Sequence, residues 1–232
     1  MRLLDWNIRG GLGMDNRRSL RRIADVIRES QADIVCLQEV HCQFPQSGFQ
    51  NQPRILERLT GMPAHFLPSF RVGISSFGNV ILTRLPASWL TLHPLPNPIE
   101  RKRLKLRLER RALLSMNIQT GSESISLFTT HLSLSSQDRV QAVREIVKRV
   151  QAVDGAVLLA GDFNARPDSS EIQAIRDTGL VDAGTASGLT YPSNRRAHRI
   201  DYIFHSANLK VEAFKVIEST ASDHCPILIE WF

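Results

Sequence analysis

The amino-acid sequence predicts an α/β protein in which two sheets pack on each other and helices cover their outer faces. Three observations predict it. Two long segments carry apolar residues at helical spacing, a surplus of short apolar or alternating segments reads as strands, and in the central and final thirds strands follow strands with no helix between them. The last observation argues against a parallel doubly wound sheet, which needs a crossover between successive strands.

The elements follow in order. Leu3–Ile8 reads as a strand, and Leu20, Ile23, Ala24 and Ile27 recur at helical spacing within Arg17–Ser30. Ile34–Val40 is a second, buried strand. After a Gln-rich loop, Pro53 opens a short helix with Ile55, Leu56 and Leu59 on one side, stopped by Gly61 and Pro63. Strands are expected at Asn79–Thr83, Lys102–Leu108, Ala112–Ile118 and Ser124–Leu132. The Pro-rich stretch from Pro86 to Pro98 is a bridge that cannot be an interior strand. Gln137–Val153 is an amphipathic helix through Val140, Val143, Ile146, Val147 and Val150. Ala156–Ala160 is a buried strand, Glu171–Arg176 a helix, and strands close the chain at Arg199–His205, Leu209–Val216 and Ile227–Trp231.

With 232 residues and a 42% hydrophobic share, the chain can fill a single core, which excludes a disordered or disulfide-stapled protein. No repeat or linker interrupts it, so one domain over 1–232 is expected. The longest aliphatic run, Ala156–Ala160, is far shorter than the roughly 20 residues that cross a bilayer, and the first residues already include Asp5 and Asn7. A cytoplasmic monomer is expected. Cys36, Cys42 and Cys225 have no zinc-cage or redox-pair spacing.

The net charge of +6 is concentrated: Arg101–Arg111 holds seven bases and one acid. Within it Leu104, Leu106 and Leu108 alternate with Arg103, Lys105 and Arg107, giving a strand with one basic face. That face is either solvated or a track for a polyanion, with Arg195, Arg196 and Arg199 as a second contributor; position in the fold decides.

Several apolar runs end in residues suited to metal or proton chemistry: Asn7, Glu39, His131 and Asp162. Strand ends are where α/β sites form. In Gly161-Asp162-Phe163-Asn164 a carboxylate and an amide two positions apart can hold a water and a phosphoryl oxygen. Ser222-Asp223-His224 pairs an oxygen ligand with a base titrating near neutrality. In Arg199-Ile200-Asp201-Tyr202-Ile203 strand alternation turns Asp201 away from Tyr202, and an inward Asp needs a partner.

Together, Trp6-Asn7-Ile8-Arg9-Gly10, Leu37-Gln38-Glu39-Val40, Gly78-Asn79-Val80-Ile81-Leu82, Thr130-His131-Leu132, Gly161-Asp162-Phe163-Asn164, Arg199-Ile200-Asp201-Tyr202 and Ser222-Asp223-His224 resemble, in order, the endonuclease/exonuclease/phosphatase superfamily, also called deoxyribonuclease I-like. The resemblance implies a four-layered α/β/β/α sandwich that hydrolyses phosphate esters with magnesium or manganese. It implies Glu39 as principal metal ligand with Asn7 and Asp223 close to the ion, and Asp162 and Asn164 as the pair orienting water and phosphoryl oxygens. His224 is implied as general base oriented by Asp201, and His131 as the histidine that contacts the phosphate or assists the leaving group.

The same resemblance leaves the substrate open among nucleic acid, phospholipid and sugar phosphate. A phosphodiester, with DNA or RNA favoured, is the expected substrate; a phospholipid or sugar-phosphate ester is the alternative, and a non-catalytic polyanion-binding module the weakest reading. Asn79, Arg111, Tyr191 and Arg195 are the candidate substrate contacts: Arg111 resembles the family's arginine near the site floor, and Tyr191 beside Arg195 is placed to stack a base and bind phosphate.

Overall fold

A computed structural model describes residues 1–96, 110–121, 123–184 and 188–232. Its elements in chain order are β1 (Arg2–Asn7), α1 (Leu20–Ser30), β2 (Ile34–Cys42), α2 (Gln52–Thr60), β3 (Ala64–Val72), β4 (Ser75–Thr83), β5 (Ala87–Pro94), β6 (Ala112–Thr120), β7 (Glu123–His131), α3 (Ser136–Gln151), β8 (Ala156–Asp162), α4 (Ser170–Arg176), β9 (Val181–Asp182), β10 (Asp201–His205), β11 (Val211–Val216) and β12 (Ile227–Trp231). They form two six-stranded sheets, ordered β11-β12-β1-β2-β4-β3 and β5-β6-β7-β8-β10-β9.

The layering follows from side-chain alternation. Along β1, Leu3 enters the core between the sheets while Leu4 and Trp6 pack outward. Along β2, Ile34 and Cys36 point between the sheets, and Val35 and Leu37 point outward against Leu20, Ile23 and Ile27 of α1 and Leu56 of α2. The second sheet repeats the scheme: Leu127, Leu158 and Ile203 face inward, whereas Phe128, Leu159, Tyr202 and Phe204 pack against Val143 and Ile146 of α3 and Ile172 and Ile175 of α4. Each large aliphatic side chain buried in these layers is worth about 1.5–3 kcal/mol.

Local signals set the helix limits. Ser19 caps α1 by accepting the Arg22 N–H, and Gln31 ends it at φ 54°. Asn51 caps α2 by accepting the Arg54 N–H, Pro53 occupies its first turn and Gly61 ends it at φ 68°. Among the described residues no helix is long and apolar enough to cross a membrane.

Besides the two-residue β9, two strands depart from the sequence expectation. β3 is absent from it, and β5 occupies the first part of the Pro86–Pro98 stretch. Both are sheet edges. Pro68 and Pro94 are tolerated there because an edge has N–H groups that need no ladder partner. The expected strand Lys102–Leu108, with the basic track on residues 101–109, lies outside the described residues.

The pairing also fixes where polar groups gather. β1 runs parallel to β2, and β7 runs parallel to β8, so all four strands end together. β10 runs antiparallel to β8 and starts opposite that end, with Asp201 paired to Asp162. The inter-sheet layer is therefore apolar along most of its length and turns polar at one end.

Candidate active site

A second polar row lies just beneath that end. Asp5, Gln38 and Thr129 are buried between the sheets, and the Gln38 amide donates to Asp5 Oδ1 at 2.7 Å and to Thr129 Oγ1 at 3.3 Å. Burial and then the nearby Asp201 charge hold the Asp5 carboxyl well above the usual carboxylate range, the Gln38 bond only partly offsetting this. The alternation Leu3, Asp5, Asn7 made this inward Asp legible, but the sequence reading singled out only Asn7.

Asn7 ends β1, and its Nδ2 donates to Glu39 Oε1 at 3.1 Å and to Asp162 Oδ2 at 3.0 Å, while its Oδ1 accepts the Arg9 N–H at 3.0 Å. It therefore ties a carboxylate of one sheet to a carboxylate of the other. Glu39 reaches this point through a β-bulge. Between the pairs Leu37–Val80 and Val40–Gly78, two residues of β2 face Asn79 alone, and Glu39 takes φ 56°. A bulge re-aims a side chain without ending the strand. Here it turns the Glu39 side chain, 30% exposed, toward the cleft.

His131 ends β7 with Nε2 at 3.5 Å from Asp162 Oδ2 and 4.0 Å from Glu39 Oε1. Burial, followed by the Arg111 and His224 charges, pushes this imidazole well below its ordinary range. Asp162 ends β8, and Asn164, at φ 48°, turns back so that its N–H reaches Asp162 Oδ1 at 2.9 Å and its amide reaches Leu132 O at 3.0 Å. Burial, and next the Asp201 charge, lift the Asp162 carboxyl to about 7 against the opposing pull of His224 and the Asn7 and Asn164 donors.

Behind Asp162, His224 Nδ1 lies 3.0 Å from both Asp201 oxygens, and its Nε2 lies 3.7 Å from Asp162 Oδ2. Burial alone would lower this imidazole; the Asp201 and Asp162 charges reverse that and raise it to about 10. The buried Thr190 hydroxyl donates to Asp201 Oδ2 and completes the chain Thr190–Asp201–His224–Asp162. Thr190 escaped the sequence reading as a site residue because nothing local marks a threonine eleven positions before its partner.

The remaining candidates sit around this centre. Asp223 Oδ2 is 3.4 Å from Arg9 Nε, an ion pair between chain ends that sequence could not disclose. Asn79 and Arg111 line a small space beside His131 together with Ser69, Phe77, Ala112 and Leu114. The Tyr191 ring stands 4.8 Å from the His224 ring at 49°. Arg195 is exposed on the same loop and makes no salt bridge among the described residues. The other two arginines of that group are engaged: Arg196 pairs with Glu218 at 2.8 Å, and Arg199 is buried against Asp182 with its guanidinium 4.6 Å over the Tyr202 ring. Arg199 is therefore part of the core rather than a polyanion contact.

The donor set fits a hard divalent cation. Asp162, Asp201 and His224 bring ligand-type atoms within 4.8 Å of one another. Of these, His224 and Asp201 already satisfy each other, which leaves Asp162, joined to Glu39 through the Asn7 amide, as the oxygen donor of that group turned to the cleft. Burial and then the Asp201 charge lift Asp162, and a bound cation would offset the cost of keeping it ionised.

A family model described as the Endonuclease/Exonuclease/phosphatase family matches residues 6–224. No curated protein matches the chain. Among solved structures, an endonuclease/exonuclease/phosphatase from Beutenbergia cavernae is 26% identical with a TM-score of 0.85, over 99% of this chain and 70% of that one. A mannosyl-6-phosphatase of Bacteroides thetaiotaomicron is 18% identical with a TM-score of 0.80, over 100% of this chain and 99% of that one. The human Nocturnin catalytic domain, with a bound sulfate, is 20% identical with a TM-score of 0.73, over 100% and 93%. The last two likenesses are of fold.

Proposed function

We infer the reaction from a premise the family match supplies, that the chain belongs to the endonuclease/exonuclease/phosphatase family: it is a divalent-metal-dependent phosphoesterase that hydrolyses a phosphodiester, nucleic acid first, by in-line attack of water. The observation that carries this reading is the convergence of Glu39, His131, Asp162 and His224 at one end of the inter-sheet layer, in steps of 3.5 to 4.0 Å.

Glu39, with Asp223 and Asn7 beside it, would hold magnesium, or manganese in its place. When bound, the cation offsets the negative charge of the phosphate and of the departing oxygen. Asp162 and Asn164 orient the water on the side of β8. The water proton passes to the Asp162 carboxylate, and Asp201 and Thr190 hold the His224 cation facing it. The water oxygen bonds to phosphorus as the P–O ester bond breaks. The departing alkoxide takes a proton from solvent water on the His131 side of the cleft, where Asn79 and Arg111 approach the phosphate. Tyr191, over His224, offers an aromatic face to a base.

Hydrolysis in oxygen-18 water tests the direction of attack: the label is expected in the phosphate product, and label confined to the alcohol overturns attack at phosphorus. A panel of bis-p-nitrophenyl phosphate, p-nitrophenyl phosphate, plasmid, single-stranded oligonucleotides and sphingomyelin, with magnesium, manganese or chelator, tests the class. Turnover of none of them would favour the binding module. One observation favours the lipid alternative. The exposed side chains of Phe49, Ile74 and Leu134 follow β2, join β3 to β4 and follow β7, at the end of the sheets where the site lies. Turnover of sphingomyelin alone would select it.

Glu39→Ala is expected to raise the magnesium concentration for half-maximal rate by about tenfold to 100-fold. An unchanged magnesium requirement would remove Glu39 from the cation's ligands.

A further inference from the structure

We propose that Arg9 and Arg18 form a subsite for a second, non-scissile phosphate of the substrate, beside the reaction centre. The proposal rests on the phosphoesterase reading above and deepens it, because a second phosphate at a fixed distance is a property of a polynucleotide strand.

Arg9 follows Asn7 by two residues, in the turn Arg9–Gly11, and its side chain is 42% exposed beside Asp223. Arg18, from the segment before α1, folds back over the same turn and donates through Nη1 to Arg9 O at 3.2 Å and Gly10 O at 2.9 Å. The Arg18 guanidinium is thus held against the main chain that carries Arg9 by carbonyl oxygens, which satisfy one nitrogen and neutralise no charge, while the Arg9 side chain pairs with Asp223. Partial burial and then the Arg9 charge work against the Arg18 cation, with Glu39 as the offsetting carboxylate. An anion between the two arginines would relieve this repulsion, and the guanidinium fork suits phosphate oxygens.

A second observation points to the same place. His41 is buried, its ring packed against Phe44 and Phe77, and its Nδ1 has no hydrogen-bond partner among the described residues. At Gly10, φ 57°, the position a Cβ would occupy lies 2.8 Å from His41 Nδ1 and 2.9 Å from Arg18 Nη1. Both groups therefore crowd one face of the Gly10 backbone, and glycine is the residue that leaves it open. Gln52 holds the turn from the opposite direction: its amide donates to Gly10 O at 2.8 Å and its oxygen accepts the His41 N–H at 2.9 Å. The polar groups are thus fixed by contacts that a surface arginine cluster lacks.

The test compares a thymidine dinucleotide with free hydroxyl ends against the same dinucleotide carrying a 5′-phosphate or a 3′-phosphate. Wild-type protein is expected to prefer one of the phosphorylated forms by about tenfold in kcat/KM, through KM, the value of one charge-assisted contact. Arg18→Gln and Arg9→Gln are each expected to erase that preference, and Arg18→Lys, which keeps the charge and loses the fork, to retain part of it. Equal kcat/KM on all three dinucleotides in wild type, or a full preference in Arg18→Gln, overturns the subsite.

Hydrolysis of no dinucleotide counts against the phosphodiesterase reading, and the subsite is then judged by calorimetric titration with inorganic pyrophosphate in chelator. Binding by wild type that weakens about tenfold in Arg18→Gln supports it; equal binding by both proteins, or none by wild type, overturns it.

Discussion

Alanine in place of His224 is expected to lower kcat by about two to three orders of magnitude, the range that a preorganised donor at the reacting centre supplies. The imidazole is held on one side by both oxygens of Asp201 and presents Nε2 to Asp162 on the other, so its removal takes away the cation facing the carboxylate that receives the water proton. The substitution also deprives the buried Asp201 of its cationic partner, which costs about 3 kcal/mol of stability. The backbone has an anchor of its own, because Trp6 Nε1 donates to His224 O at 2.7 Å. The circular dichroism spectrum is therefore expected to match wild type below the lowered melting temperature. Single-turnover rates with saturating magnesium measure the effect, and a rate within threefold of wild type would remove His224 from the reaction centre.

Gly161→Ala is expected to have the largest effect on the scaffold. Gly161 pairs with Thr130 across the parallel strands β8 and β7, at φ 149°, and a Cβ there would stand 2.1 Å from the Thr130 carbonyl oxygen. The obstacle is backbone in the middle of a sheet, so no side-chain rotation relieves it. Either the strands separate or residue 161 moves, and both displace Asp162. A loss of about 3 kcal/mol or more in stability is expected, read from urea unfolding. In whatever fraction remains folded, a fall in kcat of about 100-fold is expected, the cost of misplacing a reacting group by about 1 Å. Stability within 0.5 kcal/mol of wild type would show that the strand pair tolerates a side chain at this point.

How far the fold could be read depended on where each strand lies. Interior strands bury one or both faces, and the resulting apolar pattern marks Ile34–Val40 and Ala156–Ala160 without ambiguity. β3 and β5 are edges whose side chains are mostly half-buried or exposed, so neither carries a clean alternation, and Pro68 and Pro94 argue against strands everywhere except at an edge.

Residue chemistry and apolar patterning are local properties, and by that route the sequence alone determined the layered α/β class and offered Asn7, Glu39, His131, Asp162, Asp201 and His224 as candidates. Their meeting is not local. Asn7 and His224 come from opposite ends of the chain, and the parallel ladders and the packing of one sheet on the other decide that they share a cleft. Tertiary structure alone also decided the bulge that turns Glu39 toward Asp162, the Thr190 hydroxyl behind Asp201 and the Arg9–Arg18 pair over Gly10. Each depends on a distance between segments far apart in the chain, and residue types and spacing carry no information about such a distance until the backbone has folded.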